Sequence, residues 1–147
     1  MQWTAGSQAG FSSGMPWLAV RPNHATVNAE AALADAGSVF HHHRQLIALR
    51  RSEPALVHGR YALLWPDHAT VYGYTRTLGA VQLVVVCNFS AQPVDLPLDS
   101  TLHTPDLASA AVLSANWQLP LGLGALCHGG ALHLRPYEAL LLRCASA

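Results

Sequence analysis

The sequence predicts a mainly β protein with a helical N-terminal part, in which an antiparallel β-sandwich follows one long helix. Three observations lead to this fold class. Residues 38–53 carry the 3.6-residue apolar period of an amphipathic helix. Beyond residue 54, about seven short β-rich segments follow one another at intervals of about ten residues. Residues 1–27 show neither the 3.6-residue period of a helix nor the two-residue period of a strand, and they are rich in Gly, Ser, Pro and aromatic side chains.

The N-terminal loop contains the candidate ligand-binding residues. Trp3, Phe11 and Trp17 are large rings in a Gly-rich segment that has little regular structure to hold it. Such rings either pack together and fix the loop or, because aromatic faces stack on sugars, rim a carbohydrate site together with Asn23. The sequence alone favours packing over sugar binding.

Two helices are predicted after this loop. Asn28 is a suitable N-cap for a short helix over residues 29–34. Ser38 is the predicted N-cap of a longer helix that ends before Pro54. Its apolar residues recur at the i, i+3, i+4 and i+7 positions, which predicts one buried face. That face comprises Val39, Phe40, Leu46, Ile47 and Leu49.

The rest of the chain is predicted to form short strands. Residues 81–89 are almost continuously apolar, which is typical of a central strand, and Leu78-Gly79-Ala80 forms the hairpin turn before them. Residues 93–98 are flanked by prolines, which is typical of an edge strand. Residues 119–130 are predicted to be a Gly-rich loop. The other predicted strands cover residues 61–65, 70–76, 111–114, 131–134 and 138–143.

The composition argues against several classes of function. The 147 residues are 51% hydrophobic and 11% charged, with zero net charge. All eight basic residues are arginines, and they are scattered, so no nucleic-acid or anionic-membrane surface is predicted. No apolar run approaches the roughly 18 residues of a membrane span, and no secretory leader is recognised. The cysteine spacing fits a reduced cytoplasmic setting, and the apolar excess predicts a surface that contacts a partner.

No catalytic or metal-binding constellation is predicted from the titratable residues. The eight carboxylates are expected on turns, helix ends and strand edges, where solvated roles are more common than catalytic ones. His41, His42 and His43 occupy successive helix positions about 100° apart and so cannot converge on one ion, and His43 is expected to be half-buried. Asn88-Phe-Ser90 matches a glycosylation sequon but is predicted to have a structural role at a strand end. We therefore predict no catalytic residue, metal or cofactor.

A series of short motifs, in chain order, resembles one enzyme family. Each motif alone is unspecific, but the ordered series covers nearly the whole chain. It includes Met1-Gln-Trp3, Pro16-Trp17, Asn88-Phe-Ser90, Ser114-Ala-Asn116-Trp117 and Leu134-Arg-Pro-Tyr-Glu-Ala139. The series resembles the C-terminal part of an α-glucosidase of the α-amylase family (glycoside hydrolase family 13). Within that family it is most similar to oligo-1,6-glucosidases and trehalose-6-phosphate hydrolases.

The resemblance implies an architecture and a role. Residues 1–54 would be the last loop and helix of a (β/α)8 barrel, and residues 55–147 a sandwich of the α-amylase C-terminal type. The family's catalytic carboxylates stand on earlier barrel strands, so the chain is expected to be a non-catalytic, barrel-supporting portion of an α-glucoside hydrolase. The alternative is an independent carbohydrate-binding module with weak affinity for α-glucosides. The apolar helix face would contact the missing barrel or a second copy of the chain.

Overall fold

The computed structural model describes residues 1–98, 107, 109–119 and 123–145. These residues divide into two compact units, Met1–Leu49 and Arg50–Ala147, and the division falls inside the long helix. The first unit is helical and irregular, and the second is mainly antiparallel sheet.

Both predicted helices are confirmed. The Asn28 side chain accepts a 2.8 Å hydrogen bond from the Ala31 amide, as expected of the N-cap. Two short 3-10 helices lie in the segment predicted as a loop. The elements of this part of the chain are the 3-10 helices Ser7–Gly10 and Pro22–Ala25, then α1 (Ala29–Ala34) and α2 (Val39–Ser52).

The start of the chain is bonded to the first turn of α1. The amides of Ala29 and Glu30 donate to the carbonyls of Gln2 and Trp3, each at 2.9 Å. The first four N–H groups of a helix have no partner within the helix, and these two bonds satisfy two of them. The irregular N-terminal segment is therefore positioned by α1 as well as by its own turns.

The long helix α2 forms where predicted, but its apolar face is not buried within this chain. No residue of α2 is buried. Val39, Phe40 and Ile47 are 74%, 44% and 55% exposed, and the two leucines of the apolar face are only half-buried. His43, which was expected to be half-buried, is exposed. The sequence period shows which face of a helix is apolar. It does not show whether another layer of the structure packs on that face and buries it.

The predicted antiparallel sandwich is confirmed. A short helix, α3 (Ala55–His58), precedes it. The described strands are β1 (Arg60–Leu64), β2 (Val71–Leu78), β3 (Val81–Asn88), β4 (Val94–Pro97), β5 (Ala111–Ala115), β6 (Cys127–His128), β7 (Ala131–Leu134) and β8 (Ala139–Ala145). One sheet has the order β1-β2-β3-β8-β5 and the other the order β4-β7-β6, with every neighbouring pair antiparallel.

The strand predictions hold, with ends displaced by one or two residues. The predicted loop over residues 119–130 is the exception, and residues 120–122 of it lie outside the described part of the chain. Its later half contains a 3-10 helix, Leu123–Ala125, and the two-residue strand β6. A strand of two residues is too short to show a period, so the sequence pattern could not identify it.

The hydrophobic core lies between the two sheets. Val84 and Val86 of β3 are 0% exposed, as expected for a central strand, and they face Leu132 and Leu134 of β7, which are 0% and 1% exposed. These side chains stand at alternate positions because successive residues of a strand point to opposite faces. Full burial of each such side chain stabilises the fold by about 1.5–3 kcal/mol.

Trp65 connects the two sheets at the end of β1. It is 7% exposed, and its Nε1 donates to the Pro97 carbonyl of β4 at 3.2 Å. Its φ is +48°, in the left-handed region that non-glycine residues avoid. The indole ring lies against Gly73 of β2, where an added Cβ would stand 2.6 Å from ring atom Cε3. Glycine is therefore required at position 73 by the close approach of the ring.

Asn88 fixes the loop after β3, in agreement with the structural role predicted for the sequon. It is 2% exposed. Its Nδ2 donates to the carbonyls of Gln92 and Arg135 at 2.8 and 3.0 Å. Its Oδ1 accepts from the amide and the hydroxyl of Ser90 at 3.0 and 2.9 Å. One buried amide therefore connects two loops of the sandwich.

Candidate functional site

The N-terminal unit contains a cavity of about 610 Å³. Phe11 and Trp17 line it, together with Met15 and Leu18. Met15 and Leu18 flank the Pro-Trp motif in the sequence, and they were missed because a flexible apolar side chain in a loop carries no pattern. The lining is mainly apolar, so the cavity suits a ligand that presents an apolar face.

The structure brings only two of the four predicted rim residues together. Phe11 and Trp17 are 64% and 93% exposed and line the cavity. Trp3 and Asn23 are exposed but do not line it. A ring as exposed as that of Trp17 does not hold the loop together by packing, so the packing role is wrong for this residue. A role of these residues in sugar binding stays a prediction.

The cavity wall contains a strained turn. Gln8 and Ala9 have φ values of +51° and +54° and are followed by Gly10 at +65°. Ala9 is 1% exposed and lines the cavity. A left-handed conformation costs a non-glycine residue about 1–2 kcal/mol, so it persists only where neighbouring contacts impose it. The Trp3 and Thr4 amides, which donate to the Ala9 carbonyl at 2.9 and 3.1 Å, are such contacts.

Glu138 is buried, so the expectation that all the carboxylates are solvated is wrong for it. It is 0% exposed, and its Oε2 accepts from the Arg135 amide and Nε at 2.8 and 3.1 Å. The same carboxylate raises the pKa of the Arg135 guanidinium, which also lies 5.0 Å from the centroid of the Trp117 ring. The sequence does contain a signal for this pair, because the opposite charges stand three residues apart across a Pro-Tyr turn.

Two other carboxylates among the described residues also form ion pairs with basic side chains. Glu53 Oε1 lies 2.8 Å from Arg143 Nη1, and Asp95 Oδ1 lies 2.7 Å from His133 Nδ1. Retaining glycosidases instead place two carboxylates about 5–5.5 Å apart. These pairs have the arrangement of structural ion pairs. Two carboxylates lie outside the described residues, Asp99 and Asp106.

Both ring nitrogens of His133 face hydrogen-bond acceptors. Nε2 lies 3.1 Å from the His128 carbonyl, and Nδ1 faces the Asp95 carboxylate. A neutral imidazole donates only one hydrogen bond, whereas the imidazolium donates two. The His128 carbonyl and then the Asp95 carboxylate raise the pKa of His133 above its usual 6.5. When it is protonated, His133 therefore connects β4, β7 and β6 of the smaller sheet.

We expect this connection to stabilise the smaller sheet below neutral pH. Because the folded-state pKa is raised, the stabilisation is complete below the unfolded pKa of 6.5 and is lost as the pH rises through the folded-state pKa. Proton NMR titration of the His133 ring checks this. The Asp95→Asn variant should bring the pKa back towards its ordinary value. A folded-state pKa at or below 6.5 in the unmodified chain would contradict the expectation.

The described residues hold no group of three or more His, Cys, Asp or Glu side chains placed to bind a metal ion. The ring centroids of His42 and His43 are 6.5 Å apart, and His41 Nε2 lies 3.0 Å from the Leu33 carbonyl. The same residues include no helix that is long and apolar enough to cross a membrane.

Comparison with known proteins identifies the family. The model of the α-amylase catalytic domain matches residues 1–59. The oligo-1,6-glucosidase of Halalkalibacterium halodurans is 40% identical over 141 residues, which cover 95% of this chain and 24% of that enzyme. The trehalose-6-phosphate hydrolase of Escherichia coli is 36% identical over 144 residues, which cover 95% of this chain and 24% of that enzyme.

Comparison with solved structures leads to the same group of enzymes. The trehalose-6-phosphate hydrolase of Bacillus licheniformis matches with a TM-score of 0.82 and 30% identity over 98% of this chain and 25% of that one. The isomaltulose synthase of Klebsiella sp. LX3 matches with a TM-score of 0.81 and 35% identity over 97% of this chain and 24% of that one. The chain therefore belongs to the α-amylase family, as its motifs predicted. Within that family it is similar to the C-terminal part of oligo-1,6-glucosidases and trehalose-6-phosphate hydrolases. It spans about a quarter of the length of these relatives.

Proposed function

We propose that this chain is a non-catalytic portion of an α-glucosidase-type glycoside hydrolase, and that its sandwich supports the catalytic barrel. The observation that carries the proposal is the extent of the matches. The alignment to the Halalkalibacterium enzyme takes in 95% of the chain but only 24% of the enzyme. The catalytic-domain match ends at residue 59, next to the beginning of the sandwich.

The ion pairs among the described residues argue against a catalytic role for three of the carboxylates. Glu53, Asp95 and Glu138 each bond to a basic side chain. Glycoside hydrolysis with retention requires two carboxyl groups close together, one as the nucleophile and one as the proton donor. In each of these ion pairs the partner of the carboxylate is a basic side chain instead. Alone, the chain would not cleave α-glucosides. Within a whole cytoplasmic enzyme, its N-terminal loop would line one side of the substrate entrance.

The apolar face of α2 is the proposed contact with the rest of the barrel. A groove of about 450 Å³ lies on it, lined by Val39, Phe40, His43, Arg44 and Ile47. At about 25 cal/mol per Å² of apolar surface, burial of such side chains would contribute several kcal/mol to domain association. Without the barrel, the same face would associate with a second copy of the chain.

A chimera tests this function. The matching region of the Halalkalibacterium oligo-1,6-glucosidase is replaced by this chain, and hydrolysis of p-nitrophenyl α-glucoside is measured. We expect the chimera to be active and the isolated chain to be inactive, because the catalytic groups would come from the enzyme's own portion. In the chimera, Ile47→Glu should lower activity by about tenfold or more, since it places a charge in an apolar contact.

Gln45→Glu is the matched control, because position 45 is an exposed site on the same helix and receives the same charge. It should leave the activity of the chimera unchanged. Turnover by the isolated chain would overturn the non-catalytic assignment. A chimera that tolerates Ile47→Glu as well as Gln45→Glu would overturn the assigned contact face.

The second candidate function is an independent carbohydrate-binding module. The observation in its favour is that Phe11 and Trp17 line the cavity of about 610 Å³ in the N-terminal unit, with Trp17 93% exposed. Tryptophan fluorescence separates the two functions. A binding module predicts a saturable change with maltose, isomaltose or trehalose, whereas a barrel-supporting portion predicts none at millimolar sugar.

A further inference from the structure

A second cavity lies within the C-terminal unit, on the outer face of the larger sheet. It has a volume of about 400 Å³ and is lined by Tyr61, Tyr72, Tyr74, Arg50 and Arg76, with α3 at one end. The strand register explains this set. Tyr61 of β1 stands opposite Arg76 of β2, and the three β2 residues alternate along the face that points away from the core. We call this cavity the Tyr–Arg groove.

The tyrosines form a continuous aromatic surface in the groove. The ring centroids of Tyr61 and Tyr72 lie 5.3 and 5.4 Å from that of Tyr74, within the range of favourable aromatic contacts. The hydroxyl groups of Tyr61 and Tyr72 are hydrogen-bonded at 3.1 Å, and both residues are nearly half exposed. The rings are thus held by one another while part of their surface faces solvent.

The two arginines are positioned by the backbone of α3. Arg76 donates from Nη2 to the Val57 carbonyl at 2.9 Å and from Nε to the Ala55 carbonyl at 3.4 Å. Arg50 donates from Nη1 to the Leu56 carbonyl at 3.5 Å. Neither forms an ion pair within the described residues. These bonds satisfy backbone carbonyl groups of α3. Each guanidinium has five N–H donors, so several of its N–H groups remain available to a ligand in the groove.

The Tyr74 hydroxyl adds a neutral donor beside these charges. Burial of its ring raises the pKa of Tyr74, which outweighs the opposite effect of the Arg76 and Arg50 guanidinium groups. The phenol is therefore protonated at neutral pH. Among the described lining residues the groove then carries two positive charges, three phenols and no carboxylate. That combination favours an anionic ligand with a flat, weakly polar face.

We infer that the Tyr–Arg groove binds a phosphorylated monosaccharide, with the phosphate dianion between Arg50 and Arg76 and the sugar ring against the tyrosines. Guanidinium forks match the geometry of phosphate oxygens and bind them bidentately. Aromatic faces suit the C–H face of a pyranose, and a cavity of this size falls in the range of small-ligand sites. The inference goes beyond the proposed function, because all the lining residues of the groove lie in the C-terminal unit, Arg50–Ala147, which includes the end of α2.

Isothermal titration calorimetry of the chain tests the inference, with glucose 6-phosphate as the probe and inorganic phosphate and glucose as comparisons. We expect saturable binding of glucose 6-phosphate with a Kd of about 1 mM or lower, weaker binding of phosphate, and none of glucose. The affinity should fall with added salt, because the contact is ionic and partly exposed.

Arg50→Gln should weaken glucose 6-phosphate binding by about tenfold, as expected for the loss of a charge-assisted contact. Arg51→Gln, the neighbouring exposed arginine outside the groove, is the matched control and should bind as the unmodified chain does. Tyr74→Phe removes one hydroxyl only and should weaken binding a few-fold. Circular dichroism melting shows that each variant is folded, and Arg50 is chosen over Arg76 because it makes fewer bonds to α3.

Three results would overturn the inference. One is the absence of saturable heat with glucose 6-phosphate up to about 10 mM, well above the expected Kd. Another is an equal loss of binding in Arg50→Gln and Arg51→Gln, which would mean that only overall charge matters. The third is equal affinity for glucose 6-phosphate and inorganic phosphate, since the tyrosines would then contribute nothing.

Discussion

Replacement of Trp65 by alanine is expected to lower the free energy of unfolding of the C-terminal unit by about 3–5 kcal/mol. The indole is buried among residues of both sheets, and its removal leaves a cavity next to Gly73. It also removes the hydrogen bond to the Pro97 carbonyl, which then stays without its side-chain donor. Urea unfolding followed by far-ultraviolet circular dichroism measures the change.

Two companion variants separate the contributions at this position. Trp65→Phe keeps most of the apolar ring and loses the indole N–H, so it should cost less, about 1–2 kcal/mol. Trp117→Ala removes a tryptophan that is 47% exposed and should cost well under half as much as Trp65→Ala. An equal loss in the two alanine variants would contradict the role of Trp65 as the connection between the sheets.

Asn88→Asp should cost about 3–4 kcal/mol at neutral pH, although the two side chains have nearly the same shape. The carboxylate cannot donate, so the carbonyls of Gln92 and Arg135 lose their amide partner. It also places a charge at a position that is 2% exposed. Asn23→Asp, at an exposed position, is the control and should change stability by less than about 0.5 kcal/mol.

The cost of Asn88→Asp should become smaller in acid. Burial raises the folded-state pKa of the introduced carboxyl above its unfolded value, so protonation favours the folded state. The variant therefore regains stability as the pH falls through that raised pKa, and the protonated group donates one hydrogen bond again. Denaturant unfolding at several pH values measures this. A deficit that is independent of pH would show that the charge contributes nothing.

Periodicity explains how much of the fold could be predicted. The central strand β3 and the helix α2 have clear patterns, and both form within one or two residues of the predicted bounds. The sequence could not show that the apolar face of α2 is open, because burial depends on a second layer rather than on the helix itself. It also could not show that Glu138 is buried. The spacing of Arg135 and Glu138 indicates their ion pair, but burial depends on the layers that pack around the turn.

The sites were harder to predict, and β2 shows why. Its Tyr-x-Tyr-x-Arg alternation places Tyr72, Tyr74 and Arg76 on one face, which is visible in the sequence. The opposite face contains Gly73 and Thr75, which resemble a surface more than a core. The structure makes that face the inner one because the Trp65 ring fills the space above the glycine. The alternation in the sequence does not show which face of β2 is the inner one, and the groove that the tyrosines form was missed.

The order of strands in the larger sheet has a consequence for synthesis on the ribosome. β8 lies between β3 and β5, yet it follows every other described strand in the chain. The three-stranded meander β1-β2-β3 can pair as it emerges, but its inner edge stays open until residues 139–145 leave the exit tunnel. During that interval the nascent chain presents an unpaired apolar strand edge, which is the kind of segment that chaperones protect.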